Sequence, residues 1–259
     1  NIIKKYPSPR RSVILDADAV GQFDAEDHIE DYPVHLFLSN EGYFKKITAQ
    51  SLRGASDQKF KDGDDLHQTL DATNKQEIMF FTDKQQVYKA HLYDFDDTKA
   101  SVLGEYLPSK LSMDEDEKVV FMLLPGEYTG SLVVVFENGK AARFELSGFA
   151  TKTNRRRLTG AYSDRSPAKA FFHITEERDI TIFASNGRAL TVNTSIIPEK
   201  TTRTTVGVQV MVLRGSHTVT RASDAAEVSF VQPRRYVSHS IPSIGALLKD
   251  EDKGQLSLP

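Results

Sequence analysis

The residues of this chain whose types and spacing could do chemistry are cations. Arg155, Arg156 and Arg157 stand in succession. They lie in a stretch, residues 140–169, that also holds Lys140, Arg143, Lys152, Arg165 and Lys169 against only Glu145 and Asp164. A second series recurs along the chain: Lys46, Lys89 and Arg143 each stand four residues after a tight-turn position, and Thr191 takes that place in a fourth copy. Lysine and arginine neutralise phosphates and release condensed counterions, which gives affinity without reading any base. The candidates for such contacts are Lys45, Lys46, Arg53, Lys59, Lys61, Lys89, Arg143, Lys152, Arg155, Arg156, Arg157, Arg165, Lys169, Arg188, Arg203 and Arg214, with residues 155–157 foremost.

Other chemistries find little purchase. The chain has no cysteine, which removes disulfides, thiolate nucleophiles and cysteine-ligated zinc. No Gly-x-Ser-x-Gly motif and no phosphate-cradling glycine loop occurs. The seven histidines are scattered, with no close metal-ligand spacing. Asp16-Ala-Asp18-Ala-Val20-Gly21 fails as a calcium loop, because Val20 stands where an oxygen ligand is needed. The acidic runs at residues 16–31 and 114–117 read as solvated charge. Catalytic and metal sites are therefore expected to be none. The formal net charge is −3, from 33 Lys and Arg against 36 Asp and Glu. That total disfavours polyanions, yet the segregation into acidic and basic stretches predicts a surface with opposed sectors.

The elements that must position these cations are hairpins. Residues 34–47, 78–89, 132–144 and 180–192 each read as an apolar β-rich run, a polar tight turn and a second run. Gly42, Gly139 and Gly187 align at the turn, where positive φ is needed, and Gln85 replaces glycine in the second copy. The aligned turn positions are spaced by 43, 54 and 48 residues, a period typical of bladed, propeller-like arrays. No helical period persists, so the fold class is all-β. Tyr43, Phe44, Tyr88 and Phe144 are expected to pack between blades rather than stack on bases.

The chain divides in expectation into a connector at 1–33, a bladed domain at 34–240 and a tail at 241–259. Pro7 and Pro9 stop any helix arriving from upstream. The first residue is Asn rather than Met, which suggests a fragment or processed product. No apolar run approaches the ~20 residues of a membrane helix, so no membrane is expected. A helical turn is expected near residues 244–249 and a frayed end from 250. Four modules are legible; pairing of the two termini would make a fifth.

The phrase SNEGYFKKI at 39–47, the segment KKYPSPRRSVI at 4–14 and the return segment RRLTGAYSDRSP at 156–167 resemble the C-terminal DNA-binding domain of bacterial type IIA topoisomerase A subunits, gyrase A and its topoisomerase IV equivalent. The resemblance covers most of the chain. It implies a β-pinwheel of four-stranded blades, about four to six of them, which exchange strands and bend duplex DNA around a basic rim. It also implies that the DNA-cleaving tyrosine lies upstream, so this segment has no catalytic residue or cofactor of its own. ATP and Mg would serve elsewhere in the holoenzyme. The implied partners are duplex DNA, the upstream breakage-reunion core and the ATPase B subunit, in the cytoplasm at the nucleoid. Gyrase A carries a glutamine-arginine-arginine-glycine-glycine-type box after its first blade hairpin. Here that place reads Gln50-Ser51-Leu52-Arg53-Gly54-Ala55-Ser56-Asp57, without the paired arginines or glycines. The departure favours the topoisomerase IV type over the gyrase type. The alternative is a protein-interaction platform without DNA binding, and a propeller enzyme built on a carboxylate cluster is a third reading.

Overall fold

The computed structural model describes residues 28–256 apart from 55–56 and 152–154. Lys152 and the acidic stretch before residue 28 lie outside the described residues. Four antiparallel-based sheets form four blades. Their central hairpins are Pro33–Ser39 with Tyr43–Thr48, Glu77–Thr82 with Gln86–His91, Ser131–Phe136 with Lys140–Glu145, and Asp179–Ala184 with Arg188–Asn193. The turns have the expected hand. Gly42, Gly139 and Gly187 have φ of 89°, 81° and 71°, and Gln85 takes the same left-handed conformation at 53°.

The first strand of each inner hairpin is a continuous apolar run because it is covered on both sides. Successive side chains of a strand point to opposite faces. Ile78 and Phe80 enter the core shared with the first blade, whereas Met79 and Phe81 enter the core shared with the third. Leu132, Val134 and Phe136 face back to the second blade, and Val133 and Val135 face forward to the fourth. Phe44 meets Phe80 edge to face at 5.3 Å, and Phe81 meets Phe149 likewise at 5.3 Å, so rings as well as aliphatic chains tie neighbouring blades. Among the described residues no hydrophobic cluster joins the fourth blade to the first. The outward face of the fourth is covered instead by Phe230, Tyr236 and Leu248.

Each blade is completed by chain from beyond its own module. Leu66–Thr73, Val119–Leu123, Ala168–Ile174 and Val219–Asp224 follow their hairpins and pair with the first hairpin strand. On the other side the blade edge is supplied from farther along. Glu105–Tyr106, which follows the second hairpin, pairs with the first blade. Arg157–Thr159, which follows the third hairpin, pairs with the second blade. Glu199–Lys200 and Val208–Gln209, which follow the fourth, pair with the third. Ala246–Leu247 closes the last blade. This exchange is the pinwheel arrangement that the resemblance implied, with four blades among the described residues.

One hydrogen bond recurs at every exchange. The backbone N–H of Leu107, Ala161, Val210 and Leu248 donates to the carbonyl of the turn residue of the blade being completed: Gly42, Gln85, Gly139 and Gly187, at 2.9–3.0 Å. In three blades a glycine stands three residues before the donor, at Gly104, Gly207 and Gly245, each with positive φ. A Cβ there would lie 2.3 Å from Phe44 O, 2.1 Å from Ala141 O and 2.6 Å from Ala189 O. Glycine lets the exchanged chain press against the hairpin backbone.

Several expectations change at the C-terminal end. Residues 246–247 form an edge strand rather than a helical turn, because the exposed side of the last hairpin offers unpaired backbone groups. Asp250–Leu256 is a 3-10 helix, not a frayed end. Asp252 is buried and accepts from Tyr236 Oη at 2.6 Å and Val231 N at 2.9 Å. The fourth blade therefore extends past residue 240, where the tail was expected to begin. At the other end the first strand starts at Pro33, and Tyr32 already packs on the first core.

Candidate nucleic-acid interface

The structure sorts the expected cations into three groups. The first is covered by the exchanged chain, wholly for the lysines and largely for Arg143. Lys46, Lys89, Arg143 and Thr191 occupy one structural position, and each pairs through its backbone with a crossing segment: at Asp97 and Thr98, Arg156, Glu199, and Tyr236 and Ser238 respectively. The expectation of a charge exposed at each blade edge is corrected here, because the exchanged strand covers it. Lys46 is 3% exposed; its Nζ donates to Asn74 Oδ1 at 2.6 Å and meets Asp97 Oδ1 at 3.1 Å. Lys89 Nζ lies 3.4 Å from Glu77 and 4.6 Å from the Tyr128 ring centre. Arg143 bridges Glu177 at 2.8 Å and Glu199 at 3.4 Å. A hydrogen bond from Thr194, aided by Arg143, holds the Glu177 carboxyl below its ordinary range. Neighbouring Lys45 is 2% exposed, and its Nζ donates to Gln58 Oε1 and the carbonyls of Lys59 and Ala100. Burial lowers its pKa. These cations brace the protein itself.

The second group is nearer the surface but engaged. Lys61 pairs with Glu41 at 2.8 Å, Lys169 with Glu137 at 3.2 Å and Arg165 with Asp164 at 3.9 Å. Arg188 donates to Gly245 O at 2.9 Å. Arg203 lies over the Phe149 ring at 4.8 Å, and desolvation lowers its pKa. Arg157 is bound by Asp114 and Gln86 and covers the Tyr88 ring at 5.6 Å. Within the run 114–117, Glu115 and Asp116 are exposed as expected, whereas Asp114 and Glu117 organise the loop. Glu117 is buried and accepts from Thr82 Oγ1, from Tyr88 Oη at 2.8 Å and from Asp114 N at 3.0 Å. Hydrogen bonds from Gln86 and Arg157 hold Asp114 below the usual carboxylate range. Burial and the bond to Glu117 push Tyr88 up to about 12.

The third group is exposed and, among the described residues, has no side-chain partner: Arg53, Lys59, Arg155, Arg156 and Arg214. Arg53 ends the short helix Ala49–Arg53, capped by Thr48 Oγ1, at the place of the departed gyrase box. Arg155 and Arg156 sit on the chain that crosses from the third blade to the edge of the second. Arg156 O accepts from Lys89 N at 2.7 Å, which fixes that chain over the blade. Lys110, which was not among the expected cations, stands across from them, paired with Glu105 at 2.6 Å and 5.3 Å from the Phe95 ring centre. Its signal was present as a cation in a return segment, but nothing local tied it to residues 155–156. The arrangement offers exposed cations without side-chain partners among the described residues, which suits phosphate contact.

Comparison with known proteins agrees with this geometry. The model of the DNA gyrase C-terminal domain, β-propeller, matches residues 76–125 and 178–223, the second and fourth hairpins and the chain after them. The A subunit of DNA topoisomerase 4 from Staphylococcus aureus is 24% identical over 199 residues, 75% of this chain and 25% of that protein. The chain spans about a quarter of the length of that relative. Among solved structures, a C-terminal domain of DNA topoisomerase IV superposes with a TM-score of 0.64 at 20% identity, covering 76% of this chain and 62% of that one. The E. coli ParC C-terminal domain gives 0.63 at 15% identity over 86% and 96%, and a DNA gyrase A C-terminal domain 0.57 at 14% over 85% and 80%. In family model, sequence relatives and fold, the chain is similar to the C-terminal β-propeller domains of gyrase A and its topoisomerase IV counterpart.

Proposed function

We propose that this chain binds duplex DNA without reading its sequence and bends it, as the C-terminal domain of a type IIA topoisomerase of the topoisomerase IV kind. The observation that carries the reading is the pair of exposed, unpartnered guanidiniums at Arg155 and Arg156 on a chain similar to these domains. Charge-based contact fixes a duplex by its phosphates, and bending it must be offset by the added contacts. The absent gyrase box and the relationship to the topoisomerase 4 protein favour decatenation or relaxation over negative supercoiling. The breakage-reunion core, the B subunit with ATP and Mg, and a cytoplasmic, nucleoid-associated setting belong to the same proposal.

The test is fluorescence anisotropy with a labelled duplex of arbitrary sequence across a salt series. The expected result is binding at low salt with log affinity falling linearly in log salt, at about −0.9 per phosphate contacted. Absence of binding at low salt, or affinity indifferent to salt, overturns the reading; specific capture of a protein partner together with that outcome would favour an interaction platform. Joined to a topoisomerase core and its ATPase partner, the chain should raise decatenation more than supercoiling. Efficient ATP-dependent negative supercoiling would overturn the topoisomerase IV assignment.

A further inference from the structure

Two adjoining hollows open at the seam between the first and second blades, of about 450 and 190 Å³. They share Lys89, Ala90, Asp94 and Arg156. One wall is Phe95, Lys110 and Ser112, on chain that has left the second hairpin to complete the first blade. The opposite rim is Arg155 and Arg156, on chain that has left the third blade to complete the second. The groove therefore lies between two consecutive strand exchanges.

Its charges are unequal in freedom. Lys89 is held by Glu77 and Lys110 by Glu105. Asp94 accepts from His91 N at 3.2 Å. Arg155 and Arg156 have no acid partner among the described residues. Arg156 is also preorganised: its carbonyl is fixed by Lys89 N, and the next residue, Arg157, is bound by Asp114 and Gln86, which holds the chain on the C-terminal side of the pair. A cation on immobilised backbone loses less freedom on binding an anion than one on a loose loop. By contrast, the other exposed cations, such as Lys59 and Arg214, do not line either hollow.

We infer that this groove is the seat of a DNA phosphate backbone, so that a duplex crosses the seam between the first two blades with adjacent phosphates held by Arg155 and Arg156, the two lining cations without an acid partner among the described residues. The inference rests on the DNA-binding reading and adds the location and direction of the contact. Asp114 takes Arg157 out of the seat, so the triplet contributes two arginines and not three.

The absence of cysteine permits a direct test. Ser112→Cys places one thiol on the groove wall, and Ser216→Cys places one at an exposed site beside Arg214. Each full chain is mixed with duplex carrying a disulfide-activated tether on a backbone phosphate. The expected result is cross-linking at Ser112→Cys at least fivefold faster than at Ser216→Cys. Arg155→Ala/Arg156→Ala should weaken anisotropy-measured binding roughly tenfold and reduce the salt slope by about 2. Lys59→Ala/Arg214→Ala should change affinity less than twofold, and circular dichroism melting should be the same for both double variants. Equal cross-linking at the two thiols, or loss of affinity in Lys59→Ala/Arg214→Ala with Arg155→Ala/Arg156→Ala unaffected, overturns the groove while leaving DNA binding standing. Failure of the unsubstituted chain to bind duplex overturns the underlying reading instead.

Discussion

Lys46, Lys89, Arg143 and Thr191 show how a repeated residue type can have a meaning its spacing does not reveal. Their recurrence is a sequence fact, and charge invites a phosphate. In the fold they lie beneath the exchanged chain, so three cations need internal acids and the fourth position is filled by Thr191, whose Oγ1 lies 2.9 Å from that of Thr181. Lys45 makes the same point more sharply. Replacing it with Met leaves Gln58 Oε1 and the Lys59 carbonyl without this donor, whereas the Ala100 carbonyl keeps the Lys59 N–H at 2.8 Å. A buried acceptor left unpaired costs about 1–3 kcal/mol, so Lys45→Met should lower unfolding stability by about 2 kcal/mol in urea titration. The acidic loop yields a pH prediction. Asp114 has a lowered folded pKa, so its stabilising effect is present above the ordinary carboxylate range and is lost as pH falls through the folded value. Asp114→Asn should reduce the melting temperature at neutral pH, and the difference from the unsubstituted chain should vanish in acid. At the other extreme, Tyr88 titrates at about 12 in the folded chain against 10.0 ordinarily. The folded state holds this proton longer than the unfolded chain, so Tyr88 contributes stability that falls as pH rises from 10.0 to about 12. A melting series over that range should slope less steeply downward in Tyr88→Phe.

At the scale of elements, the central hairpins were legible and the exchanged strands were not. Each hairpin combines contiguous apolar residues with a turn that needs positive φ, and both signals are local. The exchanged strands are two or three residues long and show no period. Their partners lie far away in sequence, as Leu107 does from Gly42 and Ala161 from Gln85. What they do carry is a glycine three residues before the anchoring N–H in three of the four blades, legible only once the pairing is known. Gly104→Ala combines a φ of +90° with a Cβ 2.3 Å from Phe44 O. A cost on the order of 2–3 kcal/mol is expected in chemical denaturation. Gly63→Ala, with φ +82° and open space around it, should cost about 1–2 kcal/mol from backbone strain alone. Equal costs would mean that the close approach is relieved by movement of the crossing chain. The C-terminal segment follows the same logic. Truncation after residue 240 removes Ala246–Leu247, Leu248 and Asp252, uncovering Phe183 and Tyr236. Hydrogen exchange should then accelerate throughout the fourth hairpin and leave the first two blades protected.

At the scale of the whole molecule, cohesion passes from blade to blade through shared cores and exchanged strands. Each of the first three blades therefore depends on chain from the next, the fourth depends on the C-terminal segment, and the basic groove lies where two exchanges meet. The net charge of −3 says nothing of this groove, because most of the expected cations are consumed in internal pairs and the free ones are few and placed. A linear fall of log affinity with log salt at a modest slope, reflecting few phosphates, is the expected behaviour in anisotropy. By itself the sequence determined the all-β class, the four hairpins, their turns and the absence of thiol chemistry, because these follow from side-chain period and local backbone preference. Only the tertiary structure decided which strands complete which blade, which cations remain free, and where two of them face a concave wall. Those outcomes depend on pairings between distant segments, and an exchanged strand buries or exposes a charge without changing the residues around it in the chain.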